Sequence, residues 1–166
     1  MRLSLVKVNI QDLMQYRKDM QEAFQKGFED VYGRTESIVL PEKDIDCSLN
    51  KKGAIAYKAV FESRMIGGAV VVIDSTMQHN HLDLLYVKHG TQIKGIGYAI
   101  WSEIKKLHSD TKVWETCTPY FEKRNIHFYV NKCGFHIVEF QNRHTSKDFI
   151  GDGGDGMFVF QKRMQL

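Results

Sequence analysis

The pattern of apolar residues along the chain predicts an α+β fold with a mixed, mostly antiparallel central sheet flanked by helices. Three features lead there. β-rich runs outnumber helical ones, the helical stretch from Ile96 to about His108 lies between two strand-like runs as a β-α-β crossover requires, and the chain closes on two further strand-like runs around a Gly-rich loop. With 166 residues, 43% hydrophobic and 26% charged, the chain suits one domain with a sizeable buried core, so residues 1–166 are read as a single domain.

In order, Leu3 to Val8 reads as a first strand. Leu13, Tyr16, Met20, Ala23, Phe24 and Phe28 repeat at the helical period and predict an amphipathic helix over Leu13 to Phe28. Pro41 suits the start of a short helix with Glu42, Asp44 and Asp46 near its positive end and Gly53 past its close. Ala54 to Val60 and Met65 to Ile73 form a hairpin across Glu62 and Ser63. Leu82 to Val87 is a strand, preceded by a polar turn running through Asp74-Ser75-Thr76 to His79-Asn80-His81. Ile96, Ile100, Ile104 and Leu107 share a helix face, and Val113 to Cys117 resumes a strand. A helix over Lys123 to Lys132 stops at Gly134, and strands near Phe135 to Phe140 and Met157 to Lys162 complete the chain.

Several functional classes fall away. No apolar run reaches the roughly 18 residues of a membrane helix, and the first ten residues lack a signal-peptide pattern, so a cytoplasmic protein without membrane contact is expected. A net charge of +3, with no stretch interleaving clustered cations and aromatics, gives no reason to expect nucleic acid. Cys47, Cys117 and Cys133 are widely spaced and odd in number, which predicts buried reduced thiols rather than disulfides or a zinc knuckle. Gly151-Asp-Gly-Gly-Asp-Gly156 is a single copy of a calcium-repeat-like pattern, which reads as a hairpin loop with no structural calcium.

The richest signal is the stretch Val87-Lys-His-Gly-Thr-Gln-Ile-Lys-Gly95-Ile-Gly97-Tyr98, where a strand gives way to an apolar-faced helix. The first-turn N–H groups of a helix lack internal partners and carry the positive end of its dipole, so glycines here let an anion approach the backbone. A Walker A loop fails, because Ile96 and Gly97 stand where Lys and Ser/Thr are needed. A dinucleotide fingerprint is weakened by Ile100 at the third glycine position, although Glu115 lies near the expected acidic place. A tight turn with glycines serving geometry alone is the plainest alternative.

Gln92-Ile-Lys-Gly95-Ile-Gly97 resembles the Gln/Arg-x-x-Gly-x-Gly/Ala motif of the GNAT superfamily of N-acetyltransferases, and Asn125-Ile-His-Phe-Tyr129 with Cys133-Gly134-Phe135 resembles that family's later Asn, helical Tyr and Gly-Phe. Ile93 replaces the common small residue, and Tyr129 precedes Gly134 by one residue more than usual. The resemblance implies a GNAT-like acyl-CoA N-acyltransferase fold and acetyl-CoA as cosubstrate. It implies that Leu85, Tyr86 and Val87 border the pantetheine arm and that the amides of Gln92, Ile93, Lys94, Gly95, Ile96, Gly97 and Tyr98 hold the pyrophosphate. Asn125 either faces the cofactor or caps its helix. Lys88 and Lys94 are cations beside the loop, for phosphate or for plain solvation.

The implied reaction moves an acetyl group directly to a primary amine of a small molecule or peptide. A nucleotide- or CoA-binding regulatory module without transferase activity is the alternative. An amine is mostly protonated at neutral pH, so something must accept a proton. His81 occupies the position used as base in some members, and alternation puts His79, His81 and Asp83 on one face, so Asp83 either orients the imidazole or is itself the base. Glu115 competes from the neighbouring strand, and a solvated His pair is the duller reading. The resemblance assigns the oxyanion to an N–H near Tyr86 or Val87 and the proton for the leaving sulfur to Tyr129, which is otherwise a core aromatic. A covalent acetyl-Cys117 is disfavoured because no basic neighbour in sequence activates the thiol. No metal is expected, and a homodimer stays open.

Overall fold

Alternating burial on strands and apolar stripes on helices sort the chain into β1 (Ser4–Lys7), α1 (Leu13–Tyr32), α2 (Glu42–Leu49), β2 (Ala54–Phe61), β3 (Arg64–Val72), β4 (His79–Val87), α3 (Ile96–Leu107), β5 (Val113–Pro119), α4 (Lys123–His127), β6 (His136–Gln141) and β7 (Met157–Arg163). The structure is a computed structural model that describes residues 2–142 and 156–165. The strands form a seven-stranded sheet in the order β1-β2-β3-β4-β5-β7-β6. β4 and β5 pair in parallel, and β1-β2, β2-β3, β5-β7 and β6-β7 pair antiparallel. This is the mixed, mostly antiparallel sheet expected from the sequence. Among the described residues no helix is long and apolar enough to cross a membrane.

Two compact units divide the chain. The first comprises residues 1–73 and 82–109, the second residues 74–81 and 110–166.

In the first unit, α1 lays Tyr16 and Met20 into a core with Leu40, Ile45, Val70 and Tyr86. Tyr16 and Tyr86 meet edge to face at 5.5 Å, and the Tyr16 hydroxyl donates to the Ala69 carbonyl at 3.1 Å. Both rings need Gly68, where a Cβ would come within 2.6 Å of the Tyr16 ring and 3.0 Å of the Tyr86 ring. α1 runs a turn beyond Phe28, because nothing interrupts it before Gly33, whose N–H bonds the Glu29 carbonyl at 2.8 Å. Pro41 precedes α2, with Glu42 and Asp44 in the first turn. The β2–β3 hairpin turns across Glu62 and Ser63 at φ of +50° and +62°. That left-handed pair suits the twist of a two-residue hairpin but strains residues with a Cβ.

In the second unit, Trp114, Phe135 and Phe160 are fully buried. The sequence places His79-Asn80-His81 in a polar turn, yet β4 already begins at His79 and the turn ends at Gln78. Asn80 explains the difference. It is wholly buried, donates from Nδ2 to Thr111 Oγ1 at 2.8 Å and accepts at Oδ1 from the Asp74 N–H at 2.7 Å, so a polar residue fills a core position with its bonds made.

The helix expected over Lys123 to Lys132 is α-helical only to His127. Phe128–Lys132 is a π-helical turn, in which the Cys133 N–H reaches back five residues to the Phe128 carbonyl at 3.0 Å. A π turn holds one residue more than an α turn. The additional residue between Tyr129 and Gly134 is thus absorbed where it occurs, and Gly134, at φ +81°, ends the segment.

Expected buried thiols are found only at Cys133, because Cys47 points off the outer side of α2 and Cys117 off the face of β5 opposite buried Thr116 and Thr118. None of the three cysteines is in a disulfide. Of the loop read as calcium-free, residues 151–155 lie outside the described residues.

Candidate active site

Leu85, Tyr86 and Val87 end β4, and the Lys88 N–H bonds the Ile66 carbonyl at 2.9 Å, so the end of β4 lies beside the start of β3. Gln92, Ile93, Lys94 and Gly95 then form an exposed loop. Ile96, Ile100 and Ile104 are buried and fix the orientation of α3, which leaves its first turn, with Gly97 and exposed Tyr98, at the loop's end. Gly95 sits at the helix N-terminus at φ +79°, ψ +13°, and a Cβ there would have nothing within 4 Å. Space is therefore open over the loop backbone, while the left-handed conformation favours glycine. No acidic residue lies in the first turn, and Lys105 and Lys106 lie in the last, so α3 keeps its positive end bare.

Beside the loop's beginning, Lys88 Nζ lies 4.0 Å from the Asp19 carboxylate. Asp19 was not foreseen. It is 4% exposed, accepts from Gln15 Nε2 at 2.7 Å through Oδ1, and its Oδ2 has no hydrogen-bond partner among the described residues. The Tyr86 hydroxyl is likewise buried without a hydrogen bond, and burial, with a smaller contribution from the Asp19 charge, pushes its pKa well above that of a free phenol. The signal for Asp19 was its place on α1 between Tyr16 and Met20, inside the apolar stripe. Asp83 is also engaged in this unit: its Oδ2 accepts from Ser48 Oγ at 2.9 Å and Lys51 Nζ at 2.7 Å.

In the second unit, Tyr129 is buried among Phe128, Phe135 and Phe160, with ring centroids 5.3–5.7 Å away. Burial pushes its pKa up to about 12, against the lowering effect of a hydrogen bond with the Thr116 side chain. Asn125 is exposed and three residues into α4. Glu122 holds the N-cap, and Asn125 Nδ2 donates to Thr118 Oγ1 at 3.3 Å instead of capping.

His79 and His81 share one face of β4, and the register sets His81 beside Glu115 and Glu115 beside Gln161. His79 Nε2 lies 3.4 Å from Glu115 Oε1 and His81 Nδ1 lies 3.4 Å from Oε2, while Gln161 Nε2 donates to Oε1 at 2.8 Å. Strand alternation puts Glu115 on the face of β5 opposite Thr116, the partner of Tyr129. Gln161 was not foreseen either, since its place beside Glu115 depends on the β5–β7 register.

No protein-family model matches the chain. Solved structures similar to it include a GNAT family acetyltransferase from Elizabethkingia anophelis with acetyl-CoA bound, at TM-score 0.70 and 15% identity over 98% of each chain. The PaiA N-acetyltransferase of Thermoplasma acidophilum in complex with coenzyme A gives a TM-score of 0.69 at 20% identity, covering 99% of this chain and 100% of that one. A ribosomal-protein alanine N-acetyltransferase from Escherichia coli gives 0.70 at 11% identity, covering 99% and 96%. The chain has the GNAT acetyltransferase fold, as the motif implied. Within that class it belongs to the family of the uncharacterized protein YrkN of Bacillus subtilis (strain 168), to which it is 46% identical over 144 residues, 86% of this chain and 78% of the relative.

Proposed function

We propose that the chain is a single-domain, acetyl-CoA-dependent N-acetyltransferase that moves the acetyl group directly to a primary amine of a small molecule or peptide. The observation that carries this reading is the glycine-led start of α3, in which Gly95 opens backbone amides to solvent at the end of the loop that follows β4. Support also comes from fold neighbours solved with acetyl-CoA or coenzyme A. The amides from Gln92 to Tyr98, the first four of them on exposed residues, would hold the diphosphate, with Lys94 as a nearby cation and Lys88 turned toward Asp19. Leu85 to Val87 would border the pantetheine arm.

In the reaction the amine nitrogen attacks the thioester carbon, the oxyanion collapses, the C–S bond breaks, and the proton lost by the amine ends on the sulfur. Glu115 or His81 is proposed to accept the amine proton, with Asp83 the weaker candidate because Ser48 and Lys51 already occupy its carboxylate. Glu115 lies on the face of β5 opposite Thr116, the partner of Tyr129, so the two groups do not meet side by side and a proton passed from the amine to the sulfur would travel through solvent. A thiol ionises near 8.5, roughly three units below a phenol held at about 12. Tyr129 therefore acts best as a hydrogen-bond donor that steadies the departing sulfur, with full proton release uphill. The Asn125 amide, turned to Thr118, is proposed to line the cofactor side of α4.

The test is release of free coenzyme A thiol from acetyl-CoA across a panel of polyamines, amino acids, aminoglycosides and peptides, with thermal stabilisation compared for acetyl-CoA and NAD. A ligand at 100 times its dissociation constant stabilises the native state by about 2.7 kcal/mol. Stabilisation by acetyl-CoA with turnover of one amine class is the expected result. Stabilisation by NAD alone overturns the cofactor, and coenzyme A binding without any transfer overturns the reaction.

A further inference from the structure

The geometry points to a binding site for a divalent transition-metal cation of the zinc class, held by His79, His81 and Glu115 in the second unit. A His-x-His pair on a strand projects both imidazoles from one face, and the parallel register of β4 with β5 brings a carboxylate alongside. The nearest ligand atoms of the three residues all lie within 4.8 Å of one another. Around a tetrahedral ion with bonds of about 2.0–2.1 Å, neighbouring donors sit roughly 3.3 Å apart. His79 Nε2 lies 3.4 Å from Oε1 and His81 Nδ1 3.4 Å from Oε2, so each imidazole stands at donor spacing from one carboxylate oxygen, and side-chain rotation has to close the remaining separations, all within 4.8 Å.

Three further features fit. Gln161 Nε2 donates to Glu115 Oε1 at 2.8 Å, the outer hydrogen bond that commonly orients a metal-bound carboxylate. Asn80, buried and fully bonded between the two histidines, pins the strand that carries them. The imidazoles are 41% exposed and the carboxylate 20%, which leaves an entry path and open coordination positions. Two nitrogen donors and a single carboxylate select zinc, cobalt or nickel over magnesium and calcium, which prefer all-oxygen surroundings. The two rings are stacked, with centroids 5.6 Å apart and planes at 21°, so both present their edges from the same face of β4.

Binding is independent of the acetyl-transfer reading, and its consequence is not. An ion here takes the lone pairs that reading gives to His81 and Glu115, so zinc would switch the base off.

Calorimetric titration of the full chain with zinc chloride, and visible absorbance with cobalt chloride, read the site directly. One ion per chain is expected, with no comparable binding of magnesium. His79→Ala, His81→Ala and Glu115→Gln each lower zinc affinity by more than Gln161→Ala, which loses roughly 10–100-fold as an outer-shell change. Melting without metal verifies that each variant is folded, and the His79→Asn/His81→Asn double variant, which keeps a polar side chain at each position, replaces any alanine variant that is not. The proposal is overturned if the wild type binds neither zinc nor cobalt, or if the folded double variant binds zinc as tightly as the wild type. Metal binding in a chain that transfers no acetyl group keeps this site and removes the transferase reading. Zinc inhibition reversed by a chelator, and lost in the double variant's residual turnover, supports both.

Discussion

The loop from Gln92 to Gly95 is exposed along its length, whereas Tyr129 is enclosed by Phe128, Phe135 and Phe160. The first region offers main-chain N–H groups, the positive end of α3 and open space above Gly95. The second offers one hydroxyl whose proton is held tightly by burial. An anion with several phosphate charges is best met by backbone donors that water can reach before binding, since they pay little desolvation. A group that steers a bond-breaking step gains from a dry, rigid setting, where each hydrogen bond acts more strongly. On the proposed function, conformation would therefore govern recognition in one region, and environment would govern chemistry in the other.

The strongest way to break this contrast is Gly95→Val. A β-branched side chain in the left-handed region is strained by roughly 1–2 kcal/mol and covers the loop backbone. Acetyl-CoA affinity, measured calorimetrically, should fall at least tenfold while the chain stays folded, and unchanged affinity would remove the exposed backbone from recognition. Next comes Tyr129→Phe, which keeps the ring and loses the hydroxyl. Turnover should drop by about 10–100-fold with cofactor affinity unchanged. Because burial holds the phenol at about 12, any alkaline limb of the rate profile below pH 10 should persist in the variant. Disappearance of that limb would show the phenol titrating within the working range.

A smaller effect extends the same physics to stability. Tyr16, Tyr57, Tyr86 and Tyr129 all have pKa values raised, chiefly by burial. As pH rises past about 10, the unfolded chain releases phenolic protons that the native chain keeps, so these groups leave stability level below that point and lower it above. Denaturant midpoints from pH 8 to 11 should show the fall, and a midpoint flat to pH 11 would contradict it. The smallest effect is Glu62→Asn with Ser63→Gly, which relieves two left-handed residues in the β2–β3 turn. A gain of about 1 kcal/mol in chemical denaturation with no change in cofactor affinity is expected.

Much of this was legible from residues alone. The glycine loop was readable because its spacing and the apolar face of Ile96, Ile100 and Ile104 both mark a helix start after a strand. The hairpin through Glu62 and Ser63 was readable from its flanking runs, although neither residue announces the turn type. The true start of β4 was hidden by Asn80, whose polarity mimics a loop until Thr111 and Asp74 satisfy it. His79, His81 and Glu115 could be named separately, but their meeting depends on a parallel register that no local pattern encodes. Asp19 was legible only through its place between Tyr16 and Met20 in the apolar stripe, since an acid on a helix that also carries Glu22, Glu29 and Asp30 reads as solvated until packing buries it.

The wide turn at Phe128–Lys132 has a consequence for how relatives are compared. Inserting a residue into a regular helix swings everything beyond it by about 100° around the axis. Here the surplus is swallowed as slack in one loop of backbone, so a phenol and a glycine counted from opposite ends can each keep their accustomed place. An alignment that slides this stretch to restore the usual interval to Gly134 would put Val130 in the place of Tyr129.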